Sequence, residues 1–172
     1  MDAVYRLTHD VYLSKGYCEP QPSGRLIHYP HLDNIADTTV LVALSGSVIV
    51  GTNSWTRDGP HGLHVDRDFQ PEANAVREEG VVLGSSWRIV TSLESHKRIA
   101  VVLALIGSTL HGMVSSGIET SLFTFNPRHA AAYTKMLNMR VIAVRENIGS
   151  LKNAPAVLMR LDWQDIPDKW MP

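Results

Sequence analysis

Apolar residues at helical spacing open the chain. Val4, Leu7, Val11 and Tyr12 fall on one face of a helix running roughly from Ala3 to Lys15, with Gly16 as its stop. An irregular stretch follows to about Asp37. Two β-branched, apolar runs, Thr38 to Leu44 and Val48 to Thr52, then flank a Ser45-Gly46 turn and predict a hairpin. Their near-continuous apolar character predicts strands covered on both faces. Residues 57–80 are polar and punctuated: Arg57 to Gly62 reads as a loop, with a short helix around Glu72 to Glu79. Ser86 to Thr91 is the next strand. From about Lys97 to Ser116 the spacing predicts a long helix with Ile99, Val102, Leu103, Ile106, Leu110, Met113 and Val114 along one stripe. Its other side is apolar early (Val101, Ala104, Leu105) and polar late (Ser108, His111, Ser115).

The remaining pattern gives a strand from Ile118 to Phe125, then a helix from Pro127 to Leu137 with Asn126 as N-cap. Asn138 suits a left-handed stop. Met139 to Val144 and Ala156 to Leu161 are two further strands. The order α, β, β, β, α, β, α, β, β predicts a mixed sheet covered by helices, an α/β (α+β) arrangement in a single domain over residues 1–172.

Composition narrows the function. A 44% apolar and 19% charged chain is not disordered in the main. Sixteen basic and seventeen acidic residues leave a net charge of −1, which argues against a nucleic-acid partner held by counterion release. The single Cys18 excludes a disulfide framework and suits a reducing, cytoplasmic compartment; beside Glu19 it is poorly placed to be a thiolate. Met1 to Arg6 has no secretory pattern. Ile99 to Ile118 carries no formal charge and is long enough to cross a bilayer, but its serines, Thr109, His111 and glycines favour a buried helix over a stable membrane span. His28-x-x-His31 and His61-x-x-His64 have ligand-like spacing, yet both lie in loops without a partner set, so they read as surface histidines and no metal is expected. Ser54, Ser85 and Ser86 lack a Gly-x-Ser-x-Gly elbow.

The element order, together with the run from Asn126-Pro127-Arg128-His129 through Tyr133 to Leu137-Asn138-Met139, resembles the GNAT superfamily of N-acetyltransferases. Within it, the Pro-Arg-His start and the extra residue near the helix end are similar to the FeeM-type long-chain N-acyl amino acid synthases, relatives of acyl-homoserine-lactone synthases. Val4 to Tyr12, Asp37 to Ala43 and Val50 to Thr52 agree. The resemblance implies a mostly antiparallel sheet with a splayed parallel strand pair, 86–91 and 118–125, and an acyl thioester bound in the opening. It implies an N-acyltransferase that moves a fatty acyl group from acyl-phosphopantetheine on an acyl carrier protein, or from acyl-CoA, to an amino acid acceptor. An acetyl-CoA-dependent N-acetyltransferase, a homoserine-lactone synthase and a non-catalytic acyl-binding relative are the alternatives.

The same resemblance assigns candidate residues. Ile89, Val90, Thr91, Asn126 and Arg128 are candidates for binding the acyl-carrying co-substrate. His96, Lys97 and Arg98, before the long helix, suit a phosphate. Their loop has no glycine, which fits a single phosphate better than a pyrophosphate. The Tyr133 hydroxyl faces the thioester sulfur as an acid, with a core tyrosine as the bland reading; His129 is weighed as a base or carrier contact and read as an exposed helix-start histidine. Arg88 is retained from the family's central strand, while Ser85 stands where the family carries a carboxylate. Arg88 is either ion-paired with Glu78 or Glu79, or anchors the acceptor carboxylate or the acceptor-binding loop. Glu79 is the candidate base, provided that Gly80 and Gly84 let it fold back; an ordered water relay is the other route. A slot for the acyl chain is expected under the sheet, with room made by Gly107, Gly112 and Gly117.

Overall fold

The computed structural model describes residues 1–92, 95–149, 152 and 154–170, apart from the side chains of Ser95 and His96. Its elements are α1 (Asp2–Ser14), β1 (Thr38–Ser45), β2 (Val48–Arg57), α2 (Asp66–Arg77), β3 (Leu83–Thr91), α3 (Ser95–Ser115), β4 (Thr120–Phe125), α4 (Ala130–Leu137), β5 (Arg140–Arg145) and β6 (Ala156–Asp162). One six-stranded sheet runs in the order β1-β2-β3-β4-β6-β5. Every neighbouring pair is antiparallel except β3 and β4. The mixed sheet with flanking helices is what the element order predicts, and its mostly antiparallel pairing with one parallel pair is what the family resemblance implies.

Alternation along β3 sorts the two faces. Leu83 joins a core with Phe69, Ala73 and Val76 of α2 and with Leu122 and Leu158, and Trp87 packs with Tyr29 and Leu32 of the long loop after α1. On the other face, Leu110 and Met113 of α3 and Leu137 of α4 meet Trp55, Phe123 and Met159. Gly112 lets α3 lie flat there: a Cβ would sit 3.2 Å from the Trp55 indole nitrogen. That glycine therefore serves close packing, and neither it nor Gly107 nor Gly117 opens room for a ligand.

Several boundaries move for physical reasons. β3 begins at Leu83 because Gly84 has no side chain to strike Ile118, whose Cδ1 lies 2.6 Å from an added Cβ. α2 starts at Asp66, ahead of the Glu72 start read from sequence; Pro71 and a non-helical Phe69 kink it, and that disguises the segment as loop. β1 is an edge strand, with Val42 and Leu44 exposed, so its apolar run does not mean two covered faces. α3 is long and apolar enough to cross a membrane by length and composition. In the fold, Leu105, Ile106, Leu110 and Met113 are buried on the sheet, whereas Ile99 and Leu103 in its first half are exposed. Asn126 caps the turn after β4 by accepting the Arg128 N–H at 3.2 Å, and Asn138 ends α4 at φ 58°.

Candidate active site

Pairing between β3 and β4 runs from Leu83 opposite Thr120 to Ser86 opposite Phe123 and then stops. β3 continues to Thr91 and β4 to Phe125. The unpaired ends border a cavity of about 490 Å³. Its wall draws on both sheet faces. Tyr12, His28, Tyr29 and His64 come from one side, and Val102, Ile106, Leu110, Phe123, Leu137 and Met139 from the other. Residues from both faces of the sheet thus line one cavity at the place where β3 and β4 part.

Beside the opening, β3 bulges against β2, and Arg88 takes φ 61°. A left-handed conformation at a non-glycine residue costs about 1–3 kcal/mol and persists only where the surroundings fix it. Here they do. The Arg88 guanidinium donates to Asp33 at 3.0 and 3.3 Å and to Ser54 Oγ at 2.7 and 3.2 Å. Its central carbon lies 4.4 Å from the Trp87 ring centroid. Neither charged side chain is more than 2% exposed. The counter-charge of Arg88 is therefore Asp33, not Glu78 or Glu79. The pair ties the loop after α1 to the central strand, and the charge of Arg88 is already matched by Asp33.

Glu79 lies elsewhere. Gly80, at φ 75°, precedes the start of β3, and Glu79 is not among the residues that line the cavity. Its carboxylate accepts from Arg160 of β6 at 2.5 and 2.7 Å, and those bonds hold its pKa below the ordinary value. The fold-back that would bring Glu79 to the acceptor does not occur; its carboxylate is paired with Arg160 instead.

Ser85, at the carboxylate's position, holds a different group. His64, 2% exposed, places Nδ1 at 2.9 Å from Ser85 Oγ and Nε2 at 3.0 Å from Thr124 Oγ1. It spans the gap where β3 and β4 no longer pair. Burial, and to a lesser degree the field of His28, pushes its pKa down to about 3, so the imidazole is neutral. On the other face, Asn53 Nδ2 donates to Ser86 Oγ at 2.9 Å and to Thr109 Oγ1 at 2.6 Å, a buried polar knot in an otherwise apolar wall.

Tyr133 lines the cavity with its ring stacked on Phe125, centroids 4.0 Å apart; burial pushes its phenol up, so it keeps its proton. Ile89, Val90, Thr91, Arg98, Asn126 and Arg128 line the same cavity. Thr91 Oγ1 also donates to the Val50 carbonyl at 3.0 Å. Arg128 Nε is 3.1 Å from His129 Nε2, and burial, then the charge of Arg128, lowers the His129 pKa. Lys97 is exposed and outside the lining. The His96 side chain lies outside the described residues. Sequence reading missed His64, Asn53 and Lys15, all of which line the cavity. His64 did carry a signal: it sits between Leu63 and Val65, each 1% exposed, and an apolar pair around a histidine marks a buried one.

The sequence matches the model of the N-acyl amino acid synthase FeeM over residues 3–162. The chain belongs to the FeeM family. It is accordingly an N-acyltransferase, and its neighbours among solved structures share the fold. FeeM itself, an N-acyl amino acid synthase from uncultured soil microbes, superposes with a TM-score of 0.82 at 24% identity, over 95% of this chain and 85% of that one. BjaI, described as a CoA-dependent acyl-homoserine lactone synthase, gives 0.69 at 18% identity over 98% and 77%. An acyl-CoA N-acyltransferase from Pseudomonas aeruginosa gives 0.62 at 17% over 92% and 88%. No curated protein matches the sequence.

Proposed function

We propose that this FeeM-family chain transfers a long-chain acyl group from the phosphopantetheine thioester of an acyl carrier protein to the amine of an amino acid. The observation that carries this reading is the two-sided cavity. Its arm under α3 is walled by Val102, Ile106, Leu110, Leu137 and Met139, all apolar, which suits an acyl tail. Its arm under α1 is walled by Tyr12, Lys15, Tyr17 and Tyr29, which suits a small polar acceptor and gives its carboxylate a cation in Lys15. Arg98 and Arg128 in the lining, with Lys97 beside them, supply charge for the carrier's phosphate.

In the reaction the amine nitrogen attacks the thioester carbonyl. The C–N bond forms, the C–S bond breaks, the nitrogen sheds its proton, and the leaving thiolate takes one. Tyr133 keeps its proton and lines the cavity, which qualifies it to give that proton to sulfur. Tyr133→Phe is expected to lower kcat about 10–100-fold with little change in the donor KM, checked by steady-state assay of amide formation. An unchanged kcat removes Tyr133 from the chemistry.

The deciding experiment presents purified protein with dodecanoyl- or tetradecanoyl-acyl carrier protein, the matching acyl-CoA and acetyl-CoA, each with a mixture of amino acids, and reads N-acyl products by mass spectrometry. Long-chain product from the carrier protein in clear excess supports the proposal. Turnover of acetyl-CoA equal to or above it overturns the long-chain, carrier-borne reading. Leu110→Phe should then shift preference to shorter chains, measured over a chain-length series, because added volume at that wall shortens the slot.

A further inference from the structure

The apolar stripe of α3 runs past the end of its buried part. Ile106 and Leu110 are buried and line the cavity, and Val102, one turn earlier, lines it too. The same stripe continues through Leu103 and Ile99, which are 41% and 61% exposed. Ala100 and Ala104 beside them are exposed as well, and no formally charged residue lies between Ile99 and the helix end at Ser115. A helix face in contact with water ordinarily carries charge. This one carries none along about 24 Å of helix, and an exposed apolar surface of that kind marks a contact with something other than water.

Charge decides what covers it. α3 and α4 pack on the same face of the sheet. Their charged residues, with those of the turn leading into α4, are Lys97, Arg98, Arg128 and Lys135, and this set includes no Asp or Glu. All four are exposed, and among the described residues no carboxylate pairs with any of them. On the opposite face, α1 and α2 hold five acids and three bases. A chain of net charge −1 thus gathers four unpaired cations around an apolar helix surface. We infer that this face, centred on the first half of α3, seats on an anionic lipid bilayer. Ile99 and Leu103 enter the interface, while Lys97 and Lys135 meet lipid phosphates. The helix lies on the bilayer and does not cross it, because Leu105, Leu110 and Met113 are held in the fold.

Other occupants fit less well. A second copy of the chain would bring the same cations and no anion to this face. A carrier protein delivering a thioester needs the cavity mouth, where Arg98 and Arg128 lie, whereas the uncharged surface extends along α3 past Ser108 and His111. A bilayer accounts for both the breadth of the surface and the sign of its rim. On the acyl-transfer reading the placement has a use. The product joins a long apolar tail to a charged head, and its tail lies along the stripe whose outer end meets the lipid. That gives the tail an apolar path out of the cavity. The inference goes beyond acyl transfer and is tested without turnover.

Purified protein is mixed with vesicles of phosphatidylcholine alone or of phosphatidylcholine with phosphatidylglycerol, and the bound fraction is read by co-sedimentation at low and high salt. Partitioning is expected to be at least about tenfold stronger on the anionic vesicles and to weaken at high salt. Ile99→Ser with Leu103→Ser should cut it about tenfold. Lys97→Gln with Lys135→Gln should cut it about 25-fold on anionic vesicles, at about fivefold for each cation. Ile27→Ser, at a 47% exposed position in the loop after α1, should leave it unchanged. All the altered side chains are exposed, so the variants keep the fold. No binding to anionic vesicles overturns the inference. So does a loss from Ile27→Ser equal to that from the Ile99 and Leu103 pair. If that pair of changes leaves vesicle binding intact and instead breaks a dimer in sedimentation, or raises the KM for acyl carrier protein, the face belongs to a second copy or to the carrier and the inference falls. A protein that binds vesicles as expected but makes no amide keeps this inference and loses the acyl-transfer reading.

Discussion

Asp33→Ala is expected to cost about 3–5 kcal/mol of folding stability, because it strands a buried guanidinium. In the intact protein that cation is matched by a carboxylate with which it shares bonds at 3.0 and 3.3 Å, and Ser54 takes two more of its N–H directions. Ser54 alone cannot neutralise the charge. The pair also holds Arg88 in its left-handed conformation, so removal of the anchor releases that strain by distorting the bulge at the mouth of the cavity. Against a typical total stability of about 5–15 kcal/mol, the loss is large. It should appear as a lower urea midpoint at unchanged slope. The double variant Asp33→Ala with Arg88→Met removes both charges and should recover a substantial part, since apolar replacement of a buried pair is often nearly neutral. A loss below about 1 kcal/mol for Asp33→Ala alone would show that water or another group reaches Arg88.

The same pair explains how far the sequence could be read. Periodicity located α1, β1, α3, α4 and the caps at Asn126 and Asn138, because each is a local pattern written within a few turns or strands. The need of Arg88 for a counter-charge was legible too, since a cation in a central strand must be paired. Its partner was not. Asp33 lies 55 residues away in a stretch without periodicity, whereas Glu78 and Glu79 were close in sequence. Glu79 instead found Arg160, 81 residues distant, across the sheet. Pairings of this kind are set by strand order, which a linear pattern does not encode. His64 failed for a further reason: its spacing from His61 suggested metal chemistry or a loop surface, while the informative feature was its apolar neighbours. The cavity lining around Ile89, Val90, Thr91, Asn126, Arg128 and Tyr133 was reached through family resemblance, and each of these residues does sit in the wall.

Acid should destabilise this protein well above the pH at which its carboxylates begin to protonate. The cause is His64, 2% exposed, whose pKa falls from 6.5 to about 3 in the fold, chiefly through burial. Above pH 6.5 neither the folded nor the unfolded chain binds a proton at this site, and its contribution is constant. Below 6.5 the unfolded chain takes up the proton and the folded one does not. The unfolded state then binds more protons, so stability falls as pH falls, by about 1.4 kcal/mol per unit and roughly 4–5 kcal/mol in all by pH 3. Glu79 and Asp162, with pKa values lowered by Arg160 in the first case and by Arg160, Thr120 and Arg140 against burial in the second, add losses of the same sign only nearer pH 4. The interval from 6.5 to 4.5 therefore isolates the histidine. Urea unfolding across it should show a drop of about 2–3 kcal/mol in the unaltered protein and a much flatter profile in His64→Gln, which has no proton to gain. His129, more exposed and shifted the same way, leaves a small residual slope in both. Equal slopes in the two proteins would mean that water reaches the imidazole in the folded state. That result would place His64 in contact with solvent through the same opening by which an acceptor amine must enter.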